Sequence, residues 1–186
     1  MQLFNSLSQI INISTELEKA LTSFISKKSF KKNEFLLRAD EYCNSLYFVE
    51  KGSLRGFYFH EEKEITNWFA LEGDFGTSFY PFISKTRSYE NIQALEDVEV
   101  SVLNNTELKK LYSDFPETEK LGRIILEDYY SKLEERLINI QFKSAKERYS
   151  NLMENRPQII QRVPLGHLAS YLGITQETLS RIRAGN

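Results

Sequence analysis

One cysteine and two histidines in 186 residues leave little material for several kinds of chemistry. A lone Cys43 excludes an internal disulfide framework and a cysteine-ligated iron–sulfur cluster within one chain, and it predicts a reducing compartment. No adjacent base marks Cys43 as a thiolate, so it reads as a small buried or half-buried residue. Long apolar runs are also missing. The stretch from Met1 to Ile13 is interrupted by Asn5, Ser6, Ser8, Gln9 and Asn12 and has no basic lead, so no membrane span is expected and the location reads as cytoplasmic. His60 sits in an acidic loop with Glu61 and Glu62, where one imidazole defines no metal geometry. His167 reads as a surface residue or a phosphate contact. No Gly-rich nucleotide loop and no Ser/His/Asp pattern appears, so neither catalytic residues, metal site nor cofactor is expected, and the chain does not read as an enzyme. Repeats and low-complexity tracts are absent as well.

What is present suits one domain of ordinary size and a smaller second one. Leu3, Phe4, Leu7, Ile10 and Ile11, then Leu17, Leu21, Phe24 and Ile25, fall at helical spacing, with Ser14 or Thr15 as the cap between them. After the basic stretch Lys27 to Lys32 the pattern turns to short β-rich segments at 35–37, 46–49, 54–59, 65–69, 90–94 and 98–103, broken at Gly52, at the charged run His60 to Glu64, and at Gly73-Asp74 with Gly76. Strands so spaced predict a small barrel or sandwich, with a solvent-exposed hairpin between Tyr58 and Ile65. A short helix from Thr106 to Tyr112 stops at Phe115-Pro116.

A much longer helix follows, from Glu117 to about Phe142. Its Leu126, Tyr130, Leu133, Leu137 and Ile140 repeat at alternating steps of four and three, a heptad seam that predicts pairing with a second copy of the chain. Leu121, Ile125 and Tyr129 form a second stripe that would pack on the barrel. A polar segment, Lys143 to Arg148, leads into Tyr149, Leu152 and Met153, and Pro157 closes that helix. The boundaries that result are 1–116 for the barrel with its N-terminal helices, 117–142 for the dimer helix, and 143–186 for the C-terminal domain, an α+β chain overall.

Residues 163–183 predict two short helices around a tight turn. Pro164 suits a first helical position, Gly173 a left-handed residue ending the first helix, and Thr175 the N-cap of the second. Leu165, Leu168, Ala169 and Leu172 would face Ile174, Leu179 and Ile182, which leaves Gln176, Glu177, Ser180 and Arg181 outward. This is the pattern of a helix-turn-helix that reads DNA. From Asn155 onward there are four arginines and one glutamate, a net of +3, while the preceding residues carry a net of −5. The basic end is the helix-turn-helix end, and binding is expected from this local patch together with dimer symmetry.

The order of these parts resembles the Crp/Fnr family of bacterial transcription regulators over nearly the whole chain. The anchors are Leu46-Tyr47-Phe48-Val49-Glu50-Lys51-Gly52-Ser53-Leu54-Arg55, Gly73-Asp74-Phe75-Gly76, and Gln93-Ala94-Leu95-Glu96-Asp97-Val98-Glu99-Val100. The run Ala169-Ser170-Tyr171-Leu172-Gly173-Ile174-Thr175 is most similar to a subgroup common in Bacteroidetes-type bacteria. The resemblance implies a jelly-roll (double-stranded β-helix) barrel of the cyclic-nucleotide-binding type and a transcription regulator. The implied partners are double-stranded DNA, a second copy of the chain, RNA polymerase and an unassigned small-molecule effector. It places Gln176, Glu177 and Arg181 at base edges, while Thr175 and Ser180 suit backbone phosphates. The competing reading is a regulatory barrel acting through protein partners without reading DNA.

Members that bind cyclic AMP use a Gly-Glu pair for the ribose and an Arg-Ser or Arg-Thr for the cyclic phosphate. Here Thr77 or Ser78 stands at the carboxylate position. Counting back from Ala94 puts Ser88, not Arg87, where the arginine belongs, and a one-residue slip turns a strand side chain to the other face. The expected effector pocket is therefore Gly76, Thr77, Ser78, Arg87, Ser88 and Tyr89, with Phe79, Tyr80, Phe82 and Tyr89 either filling it or binding a more apolar effector, and with no response to cyclic AMP. Relatives continue into a β-hairpin wing after the recognition helix. This sequence reaches Asn186, and phosphate contacts from a wing are not expected.

Overall fold

A computed structural model describes residues 2–185. The chain opens with α1 (Gln2–Ser8) and α2 (Thr15–Phe24). Ser14 is the cap of α2, its hydroxyl accepting from the Leu17 amide at 3.1 Å. Strands β1 (Ser26–Phe30), β2 (Phe35–Leu37), β3 (Ser45–Lys51), β4 (Leu54–His60), β5 (Lys63–Ala70) and β6 (Phe75–Gly76) follow. Then come α3 (Phe79–Ser84), β7 (Asn91–Ala94), β8 (Val98–Asn104) and six helices: α4 (Asn105–Asp114), α5 (Glu117–Phe142), α6 (Ala145–Asn155), α7 (Pro157–Arg162), α8 (Leu165–Leu172) and α9 (Gln176–Arg183). Among the described residues no helix is long and apolar enough to cross a membrane.

The strands form two four-stranded sheets, ordered β1-β8-β3-β6 and β2-β7-β4-β5. This is a jelly-roll sandwich of antiparallel strands rather than a strictly closed barrel. Val98, Val100 and Val102 of β8 are buried; Glu99 is exposed, as on a strand covered on one face, whereas Ser101 is buried and donates to the Glu50 carboxyl at 2.7 Å. At the β3–β4 turn, Gly52 has φ +92°, and a Cβ there would meet Val98 Cγ1 at 2.6 Å and the Asp97 carbonyl at 2.7 Å. Only glycine fits both the angle and the space.

Beyond the short β6 and α3, which the sequence pattern did not indicate, three further points differ from expectation. Ser26–Phe30, within the basic stretch, is an edge strand paired with β8 from Ser26↔Val102 to Phe30↔Val98. It carries almost no buried side chain and hence no apolar alternation to read; lysines on such an edge discourage pairing with another chain. Pro157 does not merely end α6 but begins α7, since a proline's missing amide is harmless at a first helical position. Pro164 is the N-cap of α8 rather than its first residue.

The chain divides into two compact units, one of residues 1–56 and 69–127, the other of Phe57–Trp68 with residues 128–186. In the first, Leu3, Leu7, Ile11, Leu17 and Leu21 of the N-terminal segment form one core with Phe48, Leu111 and Leu121. Gly122 lets α5 approach α4, because a Cβ at that position would overlap the Tyr112 hydroxyl. The second unit gathers the β4–β5 hairpin, the greater part of α5, and α6 to α9.

Candidate nucleic-acid interface and sensing cassette

The geometry of α8 and α9 is that of a helix-turn-helix. Leu168, Ala169 and Leu172 of α8 are buried, as is Leu179 of α9. Gly173 takes the left-handed conformation at φ 67°, where its amide bonds back to α8 and that of Ile174 reaches the Ala169 carbonyl at 3.0 Å. Thr175 caps α9, its hydroxyl accepting from the Thr178 amide at 3.2 Å. Arg148 donates to the Leu172 carbonyl at 2.9 Å, placing a cation at the C-terminus of α8.

Thr175, Gln176, Glu177, Ser180 and Arg181 are all exposed. Gln176 and Glu177 lie in the first turn of α9, and Arg181 lies one turn on, with Nη2 at 3.5 Å from Thr178 Oγ1. The Glu177 carboxyl is held below its ordinary range by its own backbone amide, then by the Thr175 hydroxyl and the Arg181 charge. It is a hydrogen-bond acceptor at neutral pH. The Gln176 amide lies against α8, since a Cβ on Gly166 would meet its Nε2 at 2.9 Å.

Along α5, Leu126, Tyr130, Leu133, Leu137 and Ile140 are exposed, with Leu133 43% and Leu137 54% accessible. Leu121 of the second stripe is buried, and Ile125 and Tyr129 are half-buried.

The six cassette residues separate into two groups. Gly76, Thr77, Ser78 and Ser88 are buried, whereas Arg87 and Tyr89 are exposed. The alternation continues to buried Glu90. Arg87 points away and donates to the Asp40 carbonyl at 2.6 Å, its guanidinium 5.2 Å from the centre of the Tyr42 ring. Ser88 is joined to Ser78, 3.1 Å between hydroxyl oxygens, and the Ser78 hydroxyl donates to the Glu90 carboxyl at 2.9 Å. The Glu90 amide donates to the Ser88 hydroxyl at 3.0 Å. Thr77 donates to the Ser45 carbonyl at 2.8 Å and lies 3.1 Å from Cys43 Sγ. Burial pushes the Cys43 thiol up, which keeps it unreactive. Among the aromatics, Phe79 and Phe82 are buried, while Tyr80 and Tyr89 are exposed. Among the described residues no group of three or more His, Cys, Asp or Glu could hold a metal ion.

A model of the cyclic nucleotide-binding domain matches residues 27–115. The chain is 26% identical over 183 residues to the anaerobic regulatory protein of Haemophilus influenzae, covering 90% of this chain and 69% of that one. Its fold is similar to that of FixK2 from Bradyrhizobium japonicum, with a TM-score of 0.74 at 19% identity over 87% of this chain and 83% of that one. It is also similar to a c-di-GMP responsive global regulator, CLP, from Xanthomonas campestris, with a TM-score of 0.72 at 15% identity over 92% and 91% of the two chains. Residues 27–115 are thus similar to a cyclic nucleotide-binding domain, and the chain has the fold of these solved regulators.

Two residues of this chain had no signal in the sequence. Glu90 is one of many acidic residues, and only the strand register turns it inward beside Ser78 and Ser88. Arg136 sits among charged neighbours on α5, yet it donates to the Thr66 carbonyl of β5 at 3.0 Å and to the Tyr171 carbonyl of α8 at 2.9 Å. Its guanidinium also lies 4.4 Å from the centre of the Tyr171 ring. Desolvation lowers the Arg136 pKa, partly offset by Tyr171. Ser170 adds to this joint by accepting from the Thr66 amide at 2.9 Å and donating to the Glu64 carbonyl at 2.7 Å. The hairpin expected to be solvent-exposed between Tyr58 and Ile65 is exposed over 59–64, while the backbone of Glu64 and Thr66 ties its second strand to Ser170 and Arg136.

Proposed function

We propose that this chain is a homodimeric transcription regulator of the Crp/Fnr type that reads DNA through α9, acts in the cytoplasm, is not an enzyme, and does not respond to cyclic AMP. The observation that carries this reading is the set Gln176, Glu177 and Arg181, exposed together on a helix whose other side is buried against α8. Arginine pairs bidentately with guanine, glutamine with adenine, and glutamate accepts from cytosine. Thr175 and Ser180 serve the flanking phosphates. Residues 1–116 act as the sensing domain, 117–142 as the dimer helix and 143–186 as the DNA-binding domain, with RNA polymerase as the partner through which a bound regulator acts. Pairing two α5 helices along the exposed seam sets two copies of α9 for a two-fold operator.

Binding-site selection at fixed salt tests this. The wild type is expected to enrich a pseudo-palindrome with half-sites about one helical turn apart. Arg181→Ala is expected to lose about 1–3 kcal/mol at that site and to relax preference at one base pair per half-site. An unchanged preference would reduce Arg181 to a phosphate contact, and no enriched sequence at all would overturn the reading.

A further inference from the structure

The first unit contains an apolar cavity of about 420 Å³ that the cassette chemistry does not use. Leu7 and Leu21 of the N-terminal helices, Phe79 and Phe82 of α3, Leu108 of α4 and Ile125 of α5 are among its walls. None of Thr77, Ser78, Ser88 or Glu90 lines it. Its volume falls within the ~300–1,000 Å³ usual for small-molecule sites, and so does the character of its lining, mostly apolar with a few polar groups.

Those polar groups are placed asymmetrically. Lys85, Asn105 and Lys109 line the cavity and also an adjoining open groove of about 570 Å³, where Lys110 joins them. Among the described residues no carboxylate lines that groove. Lys85 and Lys109 are exposed at this edge, and the Lys85 ammonium donates to the Phe82 carbonyl at 2.9 Å. Burial and the neighbouring Lys109 charge both lower the Lys85 pKa, so an anion between the two lysines would be favourable. An apolar chamber that opens onto unneutralised lysines suits a ligand with a hydrocarbon body and one anionic end.

We propose that this cavity binds a medium-chain fatty carboxylate, with the chain among Leu7, Phe79, Phe82 and Ile125 and the carboxylate between Lys85 and Lys109. Such a ligand would touch α3 of the cassette and the start of α5 together. The binding claim stands without any DNA activity; only the ligand's role as effector rests on the transcription reading.

Calorimetric titration of the full chain with sodium decanoate, decanol and decyltrimethylammonium tests the assignment. Saturable binding of one decanoate per chain is expected, with decanol at least tenfold weaker and the cationic amphiphile weaker still. Replacing both lysines (Lys85→Ala with Lys109→Ala) should weaken decanoate about tenfold and leave decanol unchanged, consistent with loss of a charge-assisted contact. Ile125→Trp should abolish binding of both by filling the chamber. A flat decanoate titration, equal affinity for the cation, or decanoate affinity unchanged in the lysine variant would overturn the proposal. The surface lysine variant keeps the test decisive should the tryptophan variant not fold. Operator selection on ligand-free protein judges the DNA reading separately, so either result can fail without the other.

Discussion

Glu90 decides what the cassette can hold. Ser88 occupies the position that the resemblance gives to a phosphate-binding arginine, and it is tied to Ser78 and Glu90, while Arg87 is turned outward to Asp40. A cyclic phosphate would meet a carboxyl group where it needs a guanidinium. Each missing charge-assisted contact costs roughly 1.5–3 kcal/mol, or about ten- to hundredfold in affinity. Titration with cyclic AMP is expected to show no low-micromolar binding, and a measured constant in that range would refute the argument. The missing ribose carboxylate and the outward Arg87 were legible from residue order, because strand parity alone sets the facing. Glu90 was not, because which acidic residue turns inward is decided by tertiary register. A second residue-scale expectation concerns Tyr47, which is buried on β3 and donates to the Leu36 carbonyl at 2.9 Å. Desolvation raises its pKa to about 12, against about 10 for an exposed tyrosine. Between those values the unfolded chain has released a proton that the folded chain retains, so unfolding is favoured as pH rises. Its contribution to stability should be complete below pH 10 and be lost towards pH 12, at about 1.4 kcal/mol per pKa unit. Denaturant midpoints of wild type and Tyr47→Phe should diverge over that window; parallel curves would show that Tyr47 is not responsible.

Among the elements, α5 was the most legible, its bounds of Glu117 and Phe142 matching the heptad pattern and the Phe115-Pro116 stop. Long periodic segments average out local ambiguity, whereas β1 and α7 are five and six residues long and lack a periodic signal. The helix-turn-helix was legible because its turn requires particular residues, Gly173 for a positive φ and Thr175 for a cap, in fixed order. The α5 seam is the element's main exposed apolar feature. Packing it against a second copy would bury apolar area at about 25 cal/mol per Å². Light scattering should therefore find the wild type dimeric at micromolar concentration and Leu133→Asp monomeric, since an aspartate in such a seam would be buried without a partner. A monomeric wild type would refute the pairing.

For the whole molecule, the joint at Arg136 matters most. Three elements far apart in sequence, β5, α5 and α8, meet at one guanidinium and one serine hydroxyl. Hydrogen bonds to a charged donor contribute roughly 1.5–3 kcal/mol each, and Arg136→Ala would leave the Thr66 and Tyr171 carbonyls without this partner. Hydrogen exchange should accelerate in β5 and α8 of that variant, with a lower denaturant midpoint. Arg136→Lys should restore only part of the protection, because a lysine keeps the charge but not the planar fork that reaches two carbonyls. Equal exchange in wild type and both variants would show that the joint contributes nothing. Its existence was not legible in the sequence, which carries no mark of partners seventy residues apart.

The joint also makes the helix-turn-helix end a poor transplant. Its unit takes Phe57–Trp68 from the middle of the chain, so a fragment starting at residue 143 would carry Ser170 and Tyr171 but neither Thr66, Glu64 nor Arg136. A chimaera that grafts only residues 143–186 onto a foreign sensor leaves the hairpin-facing side of α8 bare. A graft that also carries α5 and a matching hairpin keeps it covered. Recombination between chains of this fold would therefore succeed with paired exchanges, hairpin and terminal helices together, more readily than with a single crossover after the long helix.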